Sequence, residues 1–323
     1  YKTGSGVTGL SQLAWFGRDG KLIGASAELS RYGILKASPD GTRVATSRQD
    51  PQAISRSDIW VTDVARDSSI RLTFGPAQQQ QPVWSPDGTH IAWTVIREGA
   101  PDSFYRKPAD GSGTEELLYT FDSIAGPLLT DWTSDGRFLV FSRRGDVFAL
   151  PVGPDSNSAR QPIPIVQTPA SESAAYVSPD VRWVAYLSTE SGRQELYVQP
   201  FAPGWNGTRP TGGKTLVSHG TLGLARWSTD GKNLLFLSGD GTLMVSQVEL
   251  MPTFKASPPA PLFALPRDFL AQGRQPGSMA VKSSTAVRPR DWRVCRHRTH
   301  DATCSRPRRR CRDRSASRLN GCG

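Results

Sequence analysis

Residues 81–94 have the sequence QPVWSPDGTHIAWT, and this stretch decides the fold because the chain repeats it. Val83 and Trp84 are residue types that favour a strand, and the apolar run resumes at Ile91. Between them, the SPDG tetrapeptide at 85–88 fits a type I turn. Serine suits its first position, proline sets φ at the second, aspartate tolerates the third, and glycine takes the left-handed fourth. The stretch therefore predicts a β-hairpin.

Five copies of this hairpin follow one another along the chain. Their turn aspartates are 47, 48, 45 and 50 residues apart, a period typical of repeat architectures, and four short strands of one propeller blade fill about 45 residues. We place the hairpins at 35–46, 83–94, 131–141, 176–186 and 225–236. The structural turn residues are Asp40, Gly41, Asp87, Gly88, Asp135, Gly136, Asp180, Asp230 and Gly231.

The fourth copy departs from the pattern at the last position of its turn. Val181 stands where the other four copies have glycine. A β-branched residue is unfavourable at positive φ, so we expect this turn to have another geometry.

The whole chain is predicted to be all-β. A second pair of strands follows each SPDG hairpin, and no segment before Lys282 shows a helical period over three turns. The hairpin at 13–27 has no SPDG partner before it, and we expect it to supply the outer strands of the last blade and so close the ring. A sixth SPDG hairpin is due near Gly277, where neither that motif nor an alternating strand pair is found. The sixth blade is therefore expected to be incomplete.

The last 36 residues differ in composition from the rest. Residues 288–323 contain 12 Arg, 3 Asp and all four cysteines, a net charge of +9, which leaves a net charge of +1 for residues 1–287. We predict a β-propeller over 1–287 and a basic, Arg- and Cys-rich tail over 288–323 that is disordered or the product of a frameshift.

The tail suggests two kinds of site. Cys295, His297, His300 and Cys304 have a spacing that matches no common zinc motif, so we expect no metal. The arginine-rich stretch at 306–314 would neutralise phosphates without sequence preference, and nucleic-acid binding through the tail is an alternative function. No recognition module accompanies it, so no specific nucleic acid is expected.

Catalytic signatures are missing from the propeller. The chain contains no G-x-S-x-G, no H-E-x-x-H and none of the kinase motifs, and His90 and His219 are its only histidines before the tail. We therefore expect that the chain is not an enzyme and has no catalytic, metal or cofactor-binding residues. The remaining candidate is a contact loop at Trp205 and Asn206, on one face of the ring, for a protein, peptide or small-molecule ligand.

The repeat resembles a known family. The WSPDG hairpin, the segment SDIWVTDVARDSSIRLTFGPA at 57–77 and DWTSDGRFLVFS at 131–142 are similar to the WD40-like PD40 repeats of the TolB-type six-bladed propeller. They resemble most closely the C-terminal propeller of bacterial eukaryotic-like serine/threonine kinases, and the likeness covers about residues 10–270. It implies five clear blades and an incomplete sixth.

This resemblance also implies a function. The chain would be a non-catalytic binding or sensing module, either the periplasmic or extracellular sensor of a receptor kinase or a TolB-like protein-interaction scaffold. Any kinase domain and membrane anchor would lie upstream, since no stretch of about 18 apolar residues is present. The alternative is an enzyme with its site in the propeller channel, as in lactonase-, cyclase- or hydrolase-associated propellers.

Overall fold

The computed structural model describes residues 10–17, 19–53, 55–124, 126–153, 160–203, 213–265, 279–281 and 292–297. All the regular secondary structure within these ranges is β-strand. The strands of the first half are β1 Ser11–Phe16, β2 Leu22–Ala25, β3 Tyr32–Ala37, β4 Arg43–Gln49, β5 Ser57–Asp63, β6 Ser68–Arg71, β7 Gln78–Trp84, β8 His90–Arg97, β9 Ala100–Pro108, β10 Glu116–Thr120, β11 Leu128–Trp132 and β12 Phe138–Arg143. The strands of the second half are β13 Asp146–Pro151, β14 Ile163–Val166, β15 Glu172–Val177, β16 Trp183–Ser188, β17 Glu195–Pro200, β18 Thr215–Leu216, β19 Thr221–Trp227, β20 Asn233–Ser238, β21 Thr242–Glu249, β22 Lys255–Ala256, β23 Ala260–Ala264, β24 Met279–Val281 and β25 Trp292–His297.

Each repeat copy forms an antiparallel meander. The units are β3 to β6, β7 to β10, β11 to β14, β15 to β18 and β19 to β23, and in the last of these both β22 and β23 pair with β21. A single bridge between Ser57 and Gln78 joins the first two units into one sheet. The first strands of successive units contact each other, from β3 to β7, β11, β15 and β19, and β24 contacts β3. These first strands therefore surround a common axis.

The two ends of the chain share a sheet. Its strand order is β2-β1-β25-β24, with Ser11 opposite His297 and Met279 opposite Val294. A strand pair that the sequence near Gly277 does not reveal is therefore present, as β24 and β25. β25 lies between its partner strands β1 and β24. Backbone pairing with both holds it as a strand, although its sequence lacks the apolar alternation by which strands are usually predicted. The rest of the tail lies outside the described residues, and the frameshift stays a prediction.

The five SPDG-type turns share one geometry. In each, the fourth residue donates its backbone N–H to the carbonyl of the first, as Gly88 does to Ser85 at 2.9 Å. The hydroxyl of the first residue binds the aspartate, with 2.5 Å between Ser85 Oγ and Asp87 Oδ1. That aspartate also accepts the N–H of Thr89 at 3.0 Å. Side-chain and backbone hydrogen bonds thus hold the same loop together.

Val181 adopts the same left-handed conformation, so the expected difference in the fourth turn is wrong. Its φ is 59°, and its N–H donates to the carbonyl of Ser178 at 2.8 Å. Two further bonds hold this backbone: Ser178 Oγ donates to Asp180, and the N–H of Trp183 donates to Ser178 Oγ at 3.0 Å. The valine side chain also packs against a buried cluster. Together these contacts offset the strain of a β-branched residue at positive φ.

Aromatic side chains fill the space between neighbouring units. Phe104 of β9 packs edge-on against Phe121 and against Phe141 of the next unit, with ring centroids 5.0 Å and 5.2 Å apart. Trp93 and Trp183 are fully buried. The core thus consists of interfaces between sheets, which keep the first strands in place around the axis.

Candidate functional site

A repeated β-bulge shapes the strands that face the axis. The pairing of each first strand shifts register, between Tyr32 and Leu35, Gln80 and Val83, Leu129 and Asp131, Ser173 and Tyr176, and Gly223 and Arg226, and β19 shifts a second time, between Thr221 and Gly223. A bulge bends a strand and redirects the side chains that follow it. Every copy therefore presents the residues just before its SPDG turn in the same way.

Five equivalent positions meet around a cavity on the axis. They are the residues two places before the turn serine or threonine, namely Lys36, Val83, Asp131, Tyr176 and Arg226, and all five line a cavity of about 420 Å³. We call these five residues the channel ring. Four of the five are polar or charged.

Tryptophans and prolines contribute much of the remaining cavity wall, together with Ala37, Val177 and the hydroxyl residues of the turns. The next residue of three strands supplies Trp84, Trp132 and Trp227, and three turns supply Pro39, Pro86 and Pro179. We call the cavity with this wall the channel funnel. Because three residues span at most about 10 Å, the channel ring lies up to about 10 Å deeper than the turn prolines.

Two of the tryptophans also join neighbouring units. The indole N–H of Trp84 donates to the backbone carbonyl of Lys36 at 3.0 Å, and that of Trp227 donates to the carbonyl of Tyr176 at 2.9 Å. Each acceptor is the channel-ring residue of the preceding copy. The indole bonds therefore hold the backbone of the ring in register from one unit to the next.

The cations of the channel ring converge on Tyr176. The Lys36 ammonium lies 4.6 Å from the centroid of its ring and the Arg226 guanidinium lies 4.0 Å from it. Lys36 Nζ also reaches across the axis and donates to the carbonyl of Thr130 at 2.7 Å. Arg226 Nη1 donates to the carbonyl of Ala225 at 2.7 Å, whereas its Nη2 is buried and has no hydrogen-bond partner among the described residues.

Asp131 is the one carboxylate of the channel ring. Its Oδ2 accepts the backbone N–H of Val177 at 2.8 Å. None of the ion pairs found in the described part of the chain joins Asp131 to Lys36 or Arg226. The carboxylate is thus engaged by backbone, and it does not neutralise either cation by direct contact.

Burial weakens the charges of the channel ring. Removal from water lowers the pKa of Lys36 well below its usual value, and repulsion from Arg226 lowers it further, while Asp131 acts in the opposite direction. Removal from water also raises the pKa of Asp131, against the attraction of Lys36 and the Val177 N–H. Both shifts arise because few water molecules solvate these groups.

The structure places the predicted site residues apart from this ring. Asp40, Asp87, Asp135, Asp180 and Asp230 lie in the five turns, where each accepts backbone and hydroxyl hydrogen bonds. The predicted contact loop at Trp205 and Asn206 lies outside the described residues. Within the described ranges, no group of three or more His, Cys, Asp or Glu side chains is placed to hold a metal ion.

Sequence inspection missed the channel ring. Its signal was present: the position two before each turn serine or threonine holds lysine, valine, aspartate, tyrosine and arginine in successive copies. A repeat position that should be apolar and instead varies among charged residues indicates a site rather than packing. The bulge that directs these side chains to the axis has no local sequence signature.

The model of the PD40 family, described as the TolB beta propeller domain, matches residues 33–198, which is just over half of the 323 residues. The chain belongs to the TolB beta propeller family. The match includes four of the five channel-ring positions.

Solved structures agree with this TolB-type fold. The chain is similar to a putative TolB from Agrobacterium tumefaciens, with a TM-score of 0.61 and 15% identity over 89% of this chain and 98% of that one. It is also similar to TolB from Acinetobacter baumannii, with a TM-score of 0.53 and 15% identity over 78% of this chain and 64% of that one. The predicted all-β, TolB-like propeller is confirmed.

Curated relatives correct one expectation. The chain is 28% identical to Tricorn protease homolog 1 of Streptomyces coelicolor, over 48% of this chain. It is 29% identical to the uncharacterized peptidase YuxL of Bacillus subtilis, over 32% of this chain. These matches span 15% and 16% of the two relatives. The expectation that the chain is not an enzyme is overturned by these relatives, which are named as a protease homolog and a peptidase.

None of the described residues forms a helix long and apolar enough to cross a membrane.

Proposed function

We propose that this chain is the propeller part of a peptidase-related protein and that it binds peptide segments in the channel funnel. The hydrolase-associated alternative of the sequence analysis is thereby preferred to a kinase sensor. The observation that carries the proposal is the construction of the funnel, with indole walls around a polar ring.

The funnel has the chemistry that an extended peptide requires. Ligand pockets are mostly apolar, with a few placed polar groups, and have volumes of roughly 300–1,000 Å³. The cavity of about 420 Å³ falls in this range. Indole faces suit apolar and proline side chains, while the ring supplies both donors and an acceptor for the ends and amides of a chain.

The curated relatives support the same function. Two relatives from different bacteria are named as a protease homolog and a peptidase, and each is several times longer than the segment that matches. In a protein of that kind, a peptide-binding funnel would select or hold a substrate chain for hydrolysis.

Peptide binding can be followed through the indole signals. We would titrate the ¹⁵N-labelled protein with the N-acetylated hexapeptide AAPAAF at millimolar concentration. The indole N–H signals of Trp84, Trp132 and Trp227 should shift, because these residues line the funnel. The signal of Trp60 should not shift, because its ring stacks against the buried Arg48 guanidinium, 4.7 Å away, outside the funnel.

A pair of matched variants completes the test. Trp132→Leu should weaken peptide binding, whereas Trp60→Leu should leave it unchanged, provided that both variants melt cooperatively. If the three funnel indoles do not move, or if Trp60 moves with them, the funnel is not the peptide site.

The kinase-sensor hypothesis and a periplasmic or extracellular location remain predictions from the resemblance. Sequencing the locus upstream of this chain tests both: a kinase domain followed by a membrane helix would favour them, and a hydrolase domain in the same gene would favour the peptidase proposal. Nucleic-acid binding by the tail is tested by deleting residues 298–323, which removes the arginine-rich stretch at 306–314 and keeps β25.

A further inference from the structure

We propose that the channel ring contains a carboxylate subsite, in which Arg226, assisted by Lys36, binds the free C-terminal carboxylate of a peptide that enters the funnel end-first. The inference rests on the proposed peptide-binding function and names the part of the peptide that the ring selects.

The first argument is the unsatisfied hydrogen-bonding capacity of Arg226. Its guanidinium carries five N–H donors in a fixed fork, and buried donors rarely lack a partner. Nη1 is bound to the carbonyl of Ala225, but Nη2 is buried without a partner in the described structure. An acceptor that reaches the guanidinium would satisfy this donor, and a carboxylate matches the fork in two places.

The second argument is the balance of charge. Two cationic side chains lie against one tyrosine ring, and repulsion from Arg226 contributes to the lowered pKa of Lys36. Asp131 is bound to the Val177 amide and contacts neither cation directly. A second anion between Lys36 and Arg226 would therefore relieve this repulsion, because opposite charges at short range attract.

The depth of the channel ring below the turns favours the end of a peptide as its ligand. The ring residues precede the turn prolines by three positions, a span of up to about 10 Å of chain. The end of a chain reaches such a position without folding back, whereas a side-chain carboxylate in mid-chain would require both flanking segments to enter the same narrow space. The geometry thus favours a terminal carboxylate over one from a glutamate or aspartate side chain.

Three forms of one peptide test the assignment. Isothermal titration calorimetry would compare the N-acetylated hexapeptide AAPAAF as free acid, the same peptide as C-terminal amide, and AAPEAF as C-terminal amide, which carries its carboxylate on a mid-chain side chain. The free acid should bind at least roughly tenfold more tightly than either amide, because the loss of one charge-assisted hydrogen bond corresponds to about that factor. Sodium acetate at the same concentration should compete weakly, because it lacks contacts with the indole wall.

Variants test whether the channel ring causes the preference for the free acid over the amide. Arg226→Gln should reduce the preference for acid over amide to near unity, while Arg66→Gln, which alters an exposed arginine in a hairpin far from the axis, should preserve it. If Arg226→Gln does not fold, Lys36→Gln replaces it and should lower the preference severalfold.

The outcomes separate the two proposals. If acid and amide bind equally, the carboxylate subsite is wrong and peptide binding stands. If the amide peptide with the side-chain carboxylate binds as tightly as the free acid, the assignment to a terminal carboxylate is wrong. The same holds if acetate competes as strongly as the peptide. If no form binds, the proposed function itself fails.

Discussion

Replacement of Gly88 by alanine isolates the energetic cost of the left-handed turn position. Gly88 has a φ of 70°, and its N–H closes the turn by donating to Ser85. A Cβ at this position would lie 3.6 Å from Pro39 Cδ and 3.8 Å from Arg43 Nη2, which are ordinary contacts. No steric clash is expected, so the change in stability should come from backbone conformation alone.

The magnitude follows from two opposing terms. A left-handed conformation costs a residue with a Cβ about 1–2 kcal/mol. Alanine also restricts the unfolded chain, which returns about 0.4–1 kcal/mol. The expected net destabilisation of Gly88→Ala is therefore about 1 kcal/mol, and in a chain of this size it should lower the melting temperature by about 2 °C.

Chemical denaturation measures this difference, and Gly24→Ala is the matched control. Gly24 lies in β2, its φ is not positive, and no heavy atom lies within 4 Å of a Cβ built there. We expect the control to be neutral or slightly stabilising. Equal stability of Gly88→Ala and the wild-type protein would show that the left-handed backbone is not what the turn requires.

Two further predictions concern the same turns and the channel ring below them. Hydrogen bonds from Ser85 and from the Thr89 N–H lower the pKa of Asp87 to about 2; their stabilisation is present above the ordinary pKa of about 3.9 and is lost as the pH falls through about 2. A carboxyl ¹³C titration should show this midpoint, and a midpoint near 4 would refute it. Trp84→Phe removes the indole donor to the Lys36 carbonyl and should cost about 1 kcal/mol in denaturant unfolding; an unchanged free energy of unfolding would mean that this bond does not join the units.

Local sequence was sufficient wherever a structural feature depends on neighbouring residues. The SPDG motif specifies its own turn, because serine, aspartate and glycine make their hydrogen bonds within five residues. The spacing of the motif then predicts a propeller, since each copy forms one sheet and must bury its two faces against the preceding and the following sheets. Fold class and repeat boundaries therefore followed from residues 35–236.

Tertiary structure decided the features that depend on distant residues. Val181 keeps the left-handed turn because surrounding hydrogen bonds and packing hold it, which its residue type alone argued against. β25 is a strand because β1, some 280 residues earlier in the chain, lies beside it.

The channel ring shows the same division most clearly. Its residues were visible one by one in the sequence, yet Lys36, Asp131 and Arg226 are separated by 95 residues each. Only the closing of the repeats around one axis, with a bulge in every first strand, brings them to the same cavity. The sequence by itself determined which side chains each copy offers, and the tertiary structure decided that they meet, because proximity across the axis is a property of the whole ring.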